Sequence, residues 1–118
     1  MPRVLVVDDD VWISALISDV LEMHGFEVDT AENGAVALTK VCASAPNMIV
    51  LDLMMPVMDG WEFLRRCRDL PDCVDTKILV LSAMADPQLE LLGAVQFLGK
   101  PFDMNELLEA LTRLATQP

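Results

Sequence analysis

The chain has 118 residues, of which 53% are hydrophobic, enough for one domain with a sizeable core. No apolar stretch approaches the ~20 residues a membrane span needs, and the first residues lack the apolar region and cleavage site of a signal peptide, so a cytoplasmic protein is expected. A net charge of −11, from 8 basic against 19 acidic residues, argues against direct nucleic-acid binding, which needs a basic patch.

The apolar run at 4–7 predicts a buried strand that ends in Asp8, Asp9 and Asp10. Asp10 is suited to cap a helix whose Ile13, Leu16, Ile17, Val20 and Leu21 share one face, and Gly25 to close it in a left-handed conformation. Residues 26–31 alternate and read as a second, less buried strand. Asn33 caps a second helix carrying Ala37, Leu38, Val41 and Cys42, which stops before Pro46. A third strand over 48–51 ends in Asp52, and the Asp59-Gly60 turn leads into a third helix over 61–70. Strands follow at 78–81 and 95–98. The last helix opens with Asp103 and Glu106 at capping-box spacing and presents Leu107, Leu108, Leu111 and Leu114.

Four of the five strands are continuous apolar runs, the pattern of a parallel sheet covered on both faces, with right-handed crossovers. The expected fold is α/β, a doubly wound five-stranded sheet in one domain over 1–118. Met48 and Met23 are assigned to its core, and Trp12 and Trp61 to half-buried positions near the sheet edge. Cys42, Cys67 and Cys73 have no metal-ligand spacing and read as reduced thiols in a reducing compartment. Arg65, Arg66 and Arg68 read as a solvated helix face.

Open α/β sheets bind ligands at the carboxyl edge of their strands. Neighbouring first and third strands would bring Asp8, Asp9 and Asp52 together there. Carboxylates ~4 Å apart repel by about 4 kcal/mol per pair at an effective dielectric of 20. A hard cation with oxygen ligands, Mg²⁺, is therefore expected among them. Ser82 ends the fourth strand and Lys100 follows the fifth. A hydroxyl and an ammonium beside paired carboxylates form a set suited to handling a phosphoryl group.

Four motifs stand in order at strand ends: Val-Val-Asp8-Asp9-Asp10; Asp52-Leu-Met-Met-Pro56 with Asp59-Gly60; Leu-Ser82-Ala83; and Lys100-Pro101-Phe102. Together they resemble the receiver domain of two-component response regulators over essentially the whole chain. The resemblance implies a flavodoxin-like sheet of order 2-1-3-4-5 with helices on both faces. It implies that Asp52 accepts a phosphoryl group from a sensor histidine kinase or a phosphotransfer protein, with Lys100 supporting the transferred charge. Mg²⁺ would be held by Asp9 directly, by Asp8 through water, by Asp52, and by the backbone carbonyl of Met54. Ser82 would be the switch hydroxyl, Phe97 the switch aromatic, and the Lys100–Pro101 bond cis. Such a chain catalyses only its own phosphorylation and dephosphorylation, and signals through an output domain or target protein that the sequence does not name.

Two features depart from that pattern. Ser82 and Lys100 stand 18 positions apart, fewer than receivers ordinarily have by about one helical turn. The fourth helix is therefore expected to be shortened, to about 87–92, and the output surface beside it to be unusual. Met54 and Met84, each two positions past a site residue, are expected to hinder a hydrolytic water and prolong the acyl phosphate. Rival readings fit less well. An aspartyl-phosphate phosphatase wants a second acid where Met54 stands. A flavin mononucleotide domain wants a Ser/Thr-rich loop where the three aspartates stand. A constitutive interaction module without phosphorylation would have no use for the full set of site residues.

Overall fold

The structure, a computed structural model, describes residues 2–73, 75–82 and 96–116. Five strands, β1 (Arg3–Val7), β2 (Glu27–Ala31), β3 (Met48–Asp52), β4 (Lys77–Ser82) and β5 (Gln96–Gly99), pair in parallel in the order β2-β1-β3-β4-β5. The central strands are buried on both faces because successive residues point to opposite sides. Leu5, Val7, Ile49, Leu51, Ile78 and Val80 pack with the side chains of α2 (Gly34–Ala43) and α3 (Gly60–Arg68). Val4, Val6, Met48, Val50, Leu79 and Leu81 pack with α1 (Val11–Met23) and the C-terminal helix (Met104–Thr116). The doubly wound reading thus holds, and with it the sheet order.

Local chemistry sets the ends of the helices. Asp10 accepts from the N–H groups of Trp12 and Ile13, Asn33 from Val36, and Asp59 from Glu62. Each cap satisfies a donor with no partner inside its helix. At the end of α1, Gly25 has φ +89°, and the Phe26 and Gly25 N–H groups donate to Leu21 and Glu22 carbonyls, a Schellman closure. Asp103 and Glu106 exchange two hydrogen bonds, the predicted capping box.

Several expectations are corrected. β5 is an edge strand, half exposed along its length rather than buried. The inward face of α1 is Ser14, Ile17 and Leu21, whereas Ile13 and Leu16 are 37% and 52% exposed. The pattern of apolar residues on α1 is wider than the stripe the sheet can cover. Met23 is 82% exposed and Trp12 86%, so neither packs inside; Trp61 does rest half-buried against the core. Cys42 is exposed.

Cys67 and Cys73 are joined by a disulfide rather than standing as separate thiols. Their spacing carries no metal pattern, but a 3-10 turn over Pro71–Cys73 folds the chain back on the end of α3. The expected fourth helix, Met84 and Val95 lie outside the described residues.

Candidate functional site: an acidic pocket at the carboxyl edge of the sheet

Strand register builds the site. β1 pairs Val7 with Leu51 of β3, so the residues that follow, Asp8 and Asp52, end adjacent strands. One carboxylate oxygen each from Asp8, Asp9 and Asp52 lies within 4.8 Å of the others. Asp8 and Asp52 are buried and Asp9 is exposed. On the other side, Ser82 of β4 is opposite Gly99 of β5, and the Lys100 N–H donates to the Ser82 carbonyl at 2.8 Å. That hydrogen bond turns the chain so that Lys100 Nζ stands 3.1 Å from Asp52 Oδ1. The Lys100–Pro101 bond that follows is cis.

The electrostatics of the pocket are unbalanced among the described residues. Burial holds the Asp8 carboxyl above its usual range, and the charges of Asp52 and Asp9 push it the same way. The Asp10 N–H, 2.9 Å from Asp8 Oδ1, and the Lys100 ammonium pull it partly back. Asp8 Oδ2 is buried and has no hydrogen-bond partner among the described residues. A buried carboxylate oxygen without a donor costs free energy unless a cation meets it. The cluster of three carboxylates to which Asp8 belongs therefore fits a metal site, and the all-oxygen donor set suits a hard cation.

The loop after Asp52 is held by backbone contacts. Gly60 N–H donates to the Leu53 carbonyl, and a Cβ at Gly60 would stand 2.7 Å from the Asp52 carbonyl oxygen. Gly34 N–H donates to the Met58 carbonyl, so α2 also rests on the loop. Between these points Met58 N–H reaches the Pro56 carbonyl at 2.7 Å across Val57, whose φ is +67°. That is a γ-turn centred on a β-branched residue, a strained arrangement. Nothing in the sequence marks it, since valine gives no turn signal.

Of the other expected residues, Met54 is 73% exposed on this loop, and Phe97 is 37% exposed on β5 with its ring against Gly99. Trp12 and Val11, directly after Asp10, add exposed apolar surface at the start of α1. Below them a groove of about 570 Å³ runs from Asp8 and Lys100 between Ile13, Leu16, Pro101 and Phe102.

Residues 4–112 match the response regulator receiver domain family. The chain is 34% identical over 116 residues to chemotaxis protein CheY of Bacillus subtilis, covering 94% of this chain and 95% of that protein. It is 37% identical over 118 residues to the DNA-binding dual master transcriptional regulator RpaA of Synechocystis sp., covering 97% of this chain but 49% of that regulator. It thus spans about half the length of most of the transcriptional regulators it matches. Chemotaxis response regulator CheY4 of Vibrio cholerae matches in structure with a TM-score of 0.90 at 36% identity, over 97% of this chain and 98% of that one. Response regulator TrrA of Thermotoga maritima, solved in complex with Mg²⁺-BeF, matches with a TM-score of 0.84 at 35% identity, over 97% and 99%.

The chain belongs to the response regulator receiver domain family. It is a phosphoaccepting regulator domain of two-component signalling with an acidic pocket at Asp8, Asp9 and Asp52, and not a conventional enzyme.

Proposed function

We propose that Asp52 is the phosphoacceptor, that Mg²⁺ is the cation of the acidic pocket, and that the donor is the phosphohistidine of a sensor histidine kinase or phosphotransfer protein. The observation that carries this is the meeting of Asp52 with Lys100 on one side and Asp8 and Asp9 on the other. Asp8, Asp9, Asp52 and the Met54 carbonyl would hold the ion, which offsets negative charge on the carboxylates and the phosphoryl oxygens.

The Asp52 carboxylate attacks phosphorus in line. The phosphorus–oxygen bond to Asp52 forms as the phosphorus–nitrogen bond breaks, and the imidazole leaves with its electron pair. The Lys100 ammonium meets the negative charge that spreads during transfer. The Ser82 hydroxyl donates to a phosphoryl oxygen once it is in place. Phe97, exposed on the neighbouring strand, turns inward as Ser82 is drawn toward the site, which changes the surface of β5 for an output domain or target. Met54, exposed beside Asp52, shields the acyl phosphate from water. The chain works in the cytoplasm and makes no direct contact with nucleic acid, in keeping with its charge of −11. Among the described residues no helix is long and apolar enough to cross a membrane.

The test is intact mass after incubation with Mg²⁺ and acetyl phosphate. The wild-type chain gains one phosphoryl group, and the Asp52→Asn variant gains none while still binding Mg²⁺ more weakly. Phosphorylation that persists in Asp52→Asn overturns the assignment.

A further inference from the structure

We propose that Cys67 and Cys73 form a reversible redox clasp at the base of α3, so that the chain responds to the thiol–disulfide state of its surroundings as well as to phosphoryl transfer. Cys67 lies in the last turn of α3 and Cys73 in the 3-10 turn that follows, with Cα atoms 5.8 Å apart, inside the range a disulfide spans. Local backbone hydrogen bonds hold that approach. Leu70 N–H donates to the Cys67 carbonyl, Cys73 N–H to Leu70, and Thr76 N–H to Cys73. Because these bonds do not involve sulfur, the two thiols stay within reach when the disulfide is open, which favours its re-formation.

The clasp has a structural lever. One end of α3 rests on the Asp52 strand through Gly60, and the other is tied by the disulfide to the segment that enters β4. Opening the bond removes the covalent tie at the second end, while the hydrogen-bonded turn there remains. Both cysteines are almost fully buried, at 1% and 8% exposed, so an attacking thiolate reaches the sulfurs only when the turn opens. In a cytoplasm, where persistent disulfides are rare, a dithiol reductant is at hand to open such a bond. The exchange balances with a dithiol reductant. Its thiolate attacks one sulfur, the Cys67–Cys73 bond breaks, and its second thiol closes on the mixed disulfide. Two electrons and two protons pass to the chain, leaving two thiols here and a disulfide on the reductant; the reverse exchange, with a small-molecule disulfide as the oxidant, returns them and re-forms the bond.

The test uses the whole chain. After air equilibration and denaturation, N-ethylmaleimide should label Cys42 alone; after dithiothreitol it should label all three cysteines. Thermal unfolding should shift down by about 5–10 °C on reduction, the size expected for releasing a short closed loop in a domain of this length. Cys42→Ser should keep the shift, and Cys67→Ala/Cys73→Ala should unfold at one temperature with or without dithiothreitol. Three labels without reductant, or no thermal shift, overturns the proposal. Beryllofluoride binding should survive in both redox states, which keeps this result separate from the assignment of Asp52.

Discussion

At Val57 a single side chain is at odds with its backbone. A β-branched residue with φ +67° bears a cost of roughly 1–3 kcal/mol, which the contacts around the loop outweigh. Glycine there would remove that cost while losing about 0.5–1 kcal/mol of backbone entropy. Val57→Gly is therefore expected to stabilise the chain by about 1 kcal/mol, seen as a rise of a few degrees in Tm. An unchanged or lowered Tm would mean that the γ-turn is not strained. The conformation could not be read from Val57 itself, because the loop is seated by the contacts of Gly60, three residues on, and of Gly34 on α2. Gly60 seats the loop on β3 and Gly34 seats α2 on Met58, and a Cβ at either would fall within 3 Å of backbone. Asp10, Asn33 and Asp59 behave in the opposite way. Their capping roles depend only on groups two or three residues along, so the sequence shows them directly.

Among the elements, α1 carries the clearest unassigned surface. Val11, Trp12 and Leu16 are 70%, 86% and 52% exposed, and the helix begins right after Asp9 and Asp10. A protein that delivers a phosphoryl group to Asp52 has to lie across this end of the sheet. A large exposed aromatic is the kind of residue that anchors such a contact. Trp12→Ala is expected to slow transfer from a donor protein by roughly tenfold while leaving uptake from acetyl phosphate unchanged. Its effect on stability should stay within about 0.5 kcal/mol, as for other exposed sites. Equal slowing with both donors would place Trp12 in the chemistry instead. Periodicity suggested that Ile13 and Leu16 face inward. Periodicity gives the angular width of an apolar stripe, but not how much of it the neighbouring sheet covers.

The whole molecule is strongly acidic, and its pocket concentrates that excess. Because the Asp8 carboxyl is held above its usual range, folding favours its protonated form. That contribution is complete below the unfolded value of 3.8 and is lost as pH rises through the higher folded value. Asp29 acts in the other direction. Burial pushes its carboxyl up, but the hydrogen bonds from Lys40 and the Thr30 N–H, with the charges of Lys40 and Arg3, leave it lowered. Its contribution is present above 3.8 and lost as pH falls through its lower folded value. The two windows lie on either side of the ordinary carboxyl value of 3.8, that of Asp8 above it and that of Asp29 below. Without metal, stability is expected to fall as pH rises from the ordinary carboxyl value of 3.8 through the higher folded value of Asp8. Asp8→Asn should raise Tm at pH 7 and flatten that slope, and Mg²⁺ should raise the Tm of the wild type more than that of the variant. A metal-free pH profile that is the same in both proteins would count against an unbalanced pocket.

By itself the sequence determined the class of fold and the cast of the site. Continuous apolar runs ending in Asp8, Asp52 and Ser82 specify a parallel sheet and its chemical edge, because strand burial and side-chain chemistry are written in adjacent residues. Tertiary structure decided what depends on residues far apart in the chain. The pairing of Val7 with Leu51 sets Asp8 beside Asp52, and the Ser82 carbonyl turns Lys100 onto it across 48 positions. Position in the sheet exposes β5 as an edge. The turn after α3 brings Cys67 to Cys73. Each of these is a distance between segments, and a distance of that kind is fixed only when the whole core closes around it.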